Sequence, residues 1–287
     1  MKPPLLLIGQ GSQDDAYAAE FGRFVHRLRC RLDQTGADVS GGYLERATPR
    51  LSDSVASLVA RGHHRLVALP LSLSRMGEEF PAAMAVEQQR HPTLMYDSGR
   101  PLGPDPRVLS LLAERLNEAA TELSGLREPA RPRALELAGA RPRLRAVDSS
   151  LVEDLYAHVE PGETAVVLVG EGSTDATANA EVHRVSRLFW ETHAYDFMTV
   201  ETAFVSVTPP GVPGGLERCR RLGAKRVIVV PYLLFAGGML ERVWAQALAY
   251  GAGHPDLDIR CAEVIGDCES LADVVIDRYE EALQLVP

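Results

Sequence analysis

The amino-acid sequence predicts an α/β protein made of two duplicated lobes, each a four-stranded parallel sheet flanked by helices, and three observations lead there. Short apolar, β-rich runs alternate with longer stretches of helical period, the pattern of parallel strands joined by crossover helices. Residues 5–12 (Leu-Leu-Leu-Ile-Gly-Gln-Gly-Ser) and 166–173 (Val-Val-Leu-Val-Gly-Glu-Gly-Ser) are near copies, and the match continues in register. Gly9 pairs with Gly170, Ala19-Glu20 with Ala180-Glu181, Gly62 with Gly223 and Pro70 with Pro231, always 161 positions on. Between the copies, Arg127 to Arg145 is rich in arginine and carries Pro129, Pro132 and Pro142, a composition suited to a solvated linker.

The strands of the first half are expected at Leu5–Gly9, Val39–Leu44, Leu66–Leu71 and Leu94–Tyr96, each apolar and bounded by turn-forming residues. Those of the second half are expected at Ala165–Val169, Val200–Val205, Arg226–Tyr232 and Leu257–Ala262. Phe21, Phe24, Val25, Leu28 and Leu32 recur at spacings of three and four, which places them on one apolar stripe of the first helix. Val182, Val185 and Phe189 repeat that stripe in the second half, so a core face was duplicated along with a turn. Leu51–Arg61 and Val212–Leu222 read as the second helices, Arg107–Leu123 and Leu271–Leu283 as the last ones. The division is therefore a first domain over 1–125, a linker over 126–150 and a second domain over 151–287.

Composition narrows the function. A net charge of −9 and a pI near 5.4 lack the basic footprint that phosphate contacts require, which argues against nucleic acid as a partner. No run approaches the ~20 apolar residues of a membrane span. The opening Met1-Lys2-Pro3-Pro4 followed by Leu5–Ile8 lacks a signal peptide's long apolar stretch and cleavage site, so a cytoplasmic location is expected. Cys30, Cys219, Cys261 and Cys268 show no Cys-x-x-Cys spacing and read as buried free thiols.

In an open parallel sheet, ligands gather beyond the carboxyl ends of the strands. The loops expected there are Gly9-Gln10-Gly11-Ser12, the turn after Tyr43-Leu44-Glu45, and Leu71 to Glu79, matched by Gly170-Glu171-Gly172-Ser173, Phe204 to Val207, and Leu233 to Met239. Glycines on both sides of position 10 allow a sharp turn and close approach of a ligand. Neither loop is a phosphate loop, since Gly-x-x-x-x-Gly-Lys-Ser/Thr and Gly-x-Gly-x-x-Gly are both absent. Ser12 and Ser173 lack a Gly-x-Ser-x-Gly setting and are expected to cap the helices that follow, with Asp14, Asp15 and Asp175 at the positive end of the dipole. Arg46, Arg75 and Arg242 adjoin the same strand ends, where a guanidinium pointing inward would hold a substrate carboxylate.

These residues resemble the class II chelatases, and most closely the long, two-domain sirohydrochlorin cobalto- and ferrochelatases of the CbiX type. The resemblance rests on the strand with Gly-x-Gly-Ser, on Tyr43-Leu44-Glu45-Arg46-Ala47-Thr48-Pro49, on Gly62 to Leu71, on Val229 to Phe235, and on Gly170 to Trp190 with Ser173-Thr174-Asp175 and Asn179-Ala180-Glu181. It implies chelatase-like, flavodoxin- or Rossmann-like lobes and descent from an enzyme that inserts a divalent cation into a tetrapyrrole. It also implies a site whose positions here are Gln10, Glu45 and Glu78, where the family has histidine, an acidic residue and histidine. The chain departs at two of the three, at Gln10 in the first loop and at Glu78 in a third loop that is shorter before Pro81 than the family's.

The replacements change the chemistry. Metal insertion removes two pyrrole protons and hands over a cation, and imidazole, with a pKa near ~6.5, serves both tasks at neutral pH. A glutamine amide takes up no proton in that range. Carboxylates at ~4.3 are weaker bases unless burial raises them, and as hard ligands they favour Mg over Co, Ni or Fe. The remaining histidines show no ligand spacing such as His-x-x-x-His.

The candidate catalytic residues are thus Gln10, Glu45, Glu78 and Glu171, with Glu45 and Glu78 as candidate metal ligands and Ser12, Ser74, Arg75, Gly77 and Met239 as candidate substrate contacts. If the loops bearing Glu78 and Glu171 face each other, one carboxylate can sit high and the other low in pKa, as acid–base pairs do. Three readings stay open at this level. The first is a divergent chelatase-like enzyme that supplies a divalent ion (Co, Fe, Ni or Mg) to a tetrapyrrole or another polycarboxylate ligand. The second is a repurposed, non-metallating enzyme of a specialised biosynthetic pathway that uses Glu78 or Glu171 as its base. The third is a non-catalytic carrier of metal or tetrapyrrole. A duplicated chain supplies both halves of a cleft, so either a monomer or a homodimer would serve.

Overall fold

A computed structural model of the chain describes residues 2–11, 14–44, 47–121 and 159–284. The linker expected over 126–150 lies outside them. In the described residues the elements run β1 (Leu5–Gly9), α1 (Asp15–Leu32), β2 (Val39–Tyr43), α2 (Leu51–Ala60), β3 (Arg65–Pro70), α3 (Glu79–Arg90), β4 (Met95–Ser98) and α4 (Pro106–Thr121). The second half repeats the order with β5 (Thr164–Gly170), α5 (Ala176–His193), β6 (Val200–Phe204), α6 (Val212–Arg221), β7 (Arg226–Pro231), α7 (Gly238–Ala252), β8 (Asp258–Cys261) and α8 (Glu269–Gln284). Helices α3 and α7 are additions to the sequence reading, and β4 starts and ends later than expected.

Each sheet is four-stranded, in the orders β2-β1-β3-β4 and β6-β5-β7-β8, with every pairing parallel. The two orders are the same once shifted, so the duplication extends to topology. Strands buried on both faces read as unbroken apolar runs, and here the faces divide with period two. Leu5 and Leu7 join one core, Leu6 and Ile8 another; likewise Val166 and Leu168 part from Val167 and Val169. The core containing Leu5 and Val166 is shared by both lobes and takes in the predicted stripes of α1 (Phe21, Phe24, Val25, Leu28, Leu32) and α5 (Val182, Val185, Phe189).

The lobes exchange their last helices. Helix α4 packs on β7, β8 and α5 of the other half, while α8 packs on β3, β4 and α1. Arg278 on α8 secures the crossing, its Nη2 lying 3.0 Å from Asp105 Oδ2 with both side chains buried. Arg115 Nε donates to the Val264 carbonyl at 3.0 Å, and the Tyr279 hydroxyl donates to the Pro3 carbonyl at 2.6 Å. Burial alone would raise the Asp105 carboxyl, but hydrogen bonds from Arg107 and the charges of Arg107 and Arg278 outweigh it and hold the group below its usual range.

The duplicated Ala-Glu pairs also have a structural explanation. Glu20 Oε2 accepts from the Ala236 backbone N–H at 2.8 Å, and Glu181 Oε2 accepts from the Arg75 backbone N–H at 3.3 Å. Residues 20 and 181 correspond under the repeat, as do 75 and 236, so each first helix grips the third loop of the opposite lobe. Of the thiols, Cys219 is buried as expected, Cys261 and Cys268 are half-buried, and Cys30 is exposed on α1. Among the described residues no helix is long and apolar enough to cross a membrane.

Candidate active site

The carboxyl ends of both sheets open toward each other. Between them lies a cleft of about 570 Å³, continuous with a neighbouring compartment of about 640 Å³ through Gln10, Ser72, Ser74, Glu171 and Gly172, which line both. A broader depression of about 770 Å³ on the flank of the first lobe, beside Asp14, Arg50, Glu87 and Arg90, is lined by none of the predicted site residues that are described. The interlobe space therefore holds the candidate chemistry.

The first loops build its floor. Gly11 (φ 104°) and Gly172 (φ 88°) both adopt the left-handed backbone that turns the chain out of β1 and β5. The preceding glycines serve packing, not the close ligand approach expected of them: a Cβ on Gly9 would stand 3.0 Å from the Tyr43 ring, and one on Gly170 3.0 Å from Val182. The helices that follow are capped by aspartates rather than by the expected serines. Asp14 accepts from Ala16 N–H and Asp175 from Thr177 N–H, each at 2.8 Å. Ser173 Oγ accepts from Asp175 N–H at 3.0 Å, and its backbone pairs with the Asn179 amide. An aspartate two residues farther on reaches the first free helical N–H groups, which is why it displaces the serine.

Gln10 and Glu171 thus project from corresponding turns of opposite lobes into one cleft. Glu171 is open to the cleft's water yet hemmed in by protein, and this desolvation raises its carboxyl above the usual range. Tyr17 stands near it; burial first, then the charge of Glu171, raises the phenol. Its ring packs edge-on against Phe235, centroids 5.8 Å apart, so α1 and the second lobe's third loop form one wall. Ser74, Arg75, Gly77 and Glu78 line the neighbouring compartment, where Glu78 is exposed at the start of α3, and Met239 lines the cleft from the start of α7. Glu78 and Glu171 share that compartment. Ser12, Glu45 and Arg46 lie outside the described residues. Among the described residues no three His, Cys, Asp or Glu side chains converge to hold a metal ion.

Tyr17, in the first turn of α1, escaped sequence reasoning, whereas Phe235 and Val207 fall in loops expected to border the site but were not singled out there. Val207 carries no signal in its residue type, yet its φ is +68° and Thr208 N–H donates to the Ser206 carbonyl at 2.7 Å. That hydrogen bond closes a three-residue γ-turn in its strained form, a conformation costing on the order of 1–3 kcal/mol. Arg75 and Arg242, flagged as carboxylate holders, line the space with side chains that pair with no described acidic residue.

Comparison with known proteins follows the same outline. A family model described as CbiX matches residues 4–119 and again 165–282. The chain is similar to the sirohydrochlorin cobaltochelatase of Priestia megaterium, 28% identical over 283 residues, covering 98% of this chain and 80% of that protein. It is similar to the sirohydrochlorin ferrochelatase of the same organism, 23% identical over 242 residues, covering 83% and 76%. In three dimensions it resembles SirB from Bacillus subtilis with Fe3+, TM-score 0.70 at 19% identity, covering 98% and 96% of the two chains. At that identity the likeness establishes the fold.

Proposed function

This chain belongs to the CbiX family, and from that premise we propose that it inserts a divalent cation into a sirohydrochlorin-type tetrapyrrole held between its lobes, with the proton-accepting role moved from the first lobe to the second. The placement of Glu171 on the interlobe cleft, with Gln10 from the corresponding turn of the other lobe on the same lining, carries this reading. Arg75 and Arg242 support it, because a cleft lined by two guanidiniums that pair with no described acidic residue, in a protein of net charge −9, suits a ligand bearing several carboxylates.

Insertion of one M²⁺ releases two pyrrole N–H protons, so a base is needed at the macrocycle face. A carboxylate with a raised pKa accepts such a proton more readily than a solvated one. As its carboxylate, Glu171 takes the two pyrrole protons one after the other and passes each to the cleft's water before accepting the next. Gln10 and Glu78 offer oxygen donors on the first-lobe side. Such hard donors hold Co²⁺, Fe²⁺ or Ni²⁺ only weakly, which favours transfer to the softer pyrrolic nitrogens. The cation is substrate here, and the oxygen set would accept Mg²⁺ as well.

The test mixes protein, sirohydrochlorin and Co²⁺ or Fe²⁺ and follows the absorbance change against a protein-free control. Acceleration that disappears in Glu171→Gln is the expected result. Absence of both acceleration and macrocycle binding would overturn the proposal, and tight binding without turnover would make the protein a carrier.

A further inference from the structure

Val207 takes no part in the proton and cation chemistry above, yet its placement demands a reason. Its side chain is 66% exposed, lines the mouth of the interlobe cleft, and belongs to the only non-glycine residue among those described with a positive φ. A β-branched residue at φ +68° is a genuine outlier, since its Cβ substituents crowd the backbone. The valine buries nothing that would offset this cost.

The turn is nevertheless fixed from several sides. Ser206 donates to the Glu171 carbonyl twice, from its N–H at 3.1 Å and from Oγ at 3.2 Å. Gln246 Nε2 donates to the Val205 carbonyl at 3.1 Å. A Cβ at Gly172 would stand 1.9 Å from the Ser206 oxygen, so only glycine there lets the two loops approach this closely. The strain is over-determined by its surroundings, the circumstance in which such outliers mark function. It also ties Val207 rigidly to the turn that presents Glu171.

We infer that Val207 is a specificity-determining contact: an isopropyl group held out on a rigid turn to meet the flat apolar face of the ligand, favouring an extended macrocycle over small polycarboxylates. The neighbouring wall agrees, because Tyr17, Phe235 and Met239 add apolar surface to the same cleft. The inference rests on the tetrapyrrole reading above and deepens it.

The test titrates sirohydrochlorin, and separately citrate, into the full-length wild type, Val207→Gly and Val207→Thr, and records Tm for each. Glycine relieves the positive φ while removing the contact, so Val207→Gly is expected to hold or raise Tm and to weaken sirohydrochlorin binding about tenfold. Val207→Thr, of similar shape, is expected to lose about threefold. Citrate binding should change less than twofold in either. Unchanged macrocycle affinity in Val207→Gly overturns the inference, as does a loss accompanied by a fall in Tm or shared equally by citrate. Failure of the wild type itself to bind sirohydrochlorin would instead defeat the tetrapyrrole reading.

Discussion

The ion pair between the third and fourth strands occurs in both lobes at corresponding positions, in different surroundings. Arg65 Nε lies 2.9 Å from Asp97 Oδ2 with both side chains partly in water; Arg226 Nε lies 2.6 Å from Asp258 Oδ2 with both buried, and Arg260 joins at 3.2 Å. The difference runs through the whole lobe. Strand β8 is packed by α4 and α7, whereas β4 is packed by α8 and leaves Met95 exposed. The third loop of the second lobe is pinned by Glu20 and by Phe235 against Tyr17 and Phe24, while its counterpart is held across the lobes by two longer hydrogen bonds, from Arg75 N–H to Glu181 and from the Tyr232 hydroxyl to the Leu73 carbonyl, both at 3.3 Å. One duplicated skeleton has produced a more tightly packed lobe, which presents Glu171 to the cleft, and a more open one, which presents Gln10 and Glu78.

This contrast can be broken most directly at Glu171. Glu171→Gln is expected to lower kcat/KM for metal insertion by about 10²–10⁴, the usual worth of a general base, and Glu78→Gln by only about threefold, both read from initial rates of the absorbance change. Next in size is the paired comparison of stability. Asp258→Asn removes the carboxylate that two buried guanidiniums share and should cost about 3–5 kcal/mol in chemical denaturation, whereas Asp97→Asn should cost under about 1 kcal/mol. Grafting the family's imidazoles into the open lobe, Gln10→His with Glu78→His, should raise Co²⁺ insertion about tenfold; no gain would mean that the loop has been reshaped and not merely re-lettered.

Smaller effects sharpen the comparison. Glu20→Ala removes the partner of a partly buried N–H and is expected to cost about 1–2 kcal/mol, against about 0.5 kcal/mol for Glu181→Ala, measured as the shift in denaturation midpoint. The smallest effect follows from linkage. The folded state binds the Glu171 proton more tightly than the unfolded chain, so its contribution is intact below the unfolded carboxylate range near ~4.3 and is lost as pH rises through the folded value. Glu171→Gln should therefore raise Tm near pH 7.5 and leave it unchanged near pH 4.

Much of this was legible in the residues. The 161-residue offset marked the strands, the stripes of α1 and α5 and the two facing loops, because burial on a fixed face leaves a periodic trace. Helix α3 left a poor one: of its residues Phe80, Met84 and Glu87 are buried, and a charged residue in that row spoils the pattern. The surroundings of Glu171 were hidden because the cleft it lines draws on residues as distant in sequence as Tyr17 and Phe235. The repeated Glu20 and Glu181 were visible, but nothing local says that a glutamate on one helix will reach a loop of the other lobe. Nor does an apolar stripe on α4 or α8 say which sheet it will cover.

That last ambiguity has a consequence for how such a chain arises and how it can be cut. Each half lends its final helix to its twin, so a single ancestral copy would have left one sheet face bare and one helix homeless until a second copy arrived. Fusion made permanent a partnership that the geometry already required. Severed halves of this polypeptide should accordingly be insoluble apart and recover a working whole only when produced together.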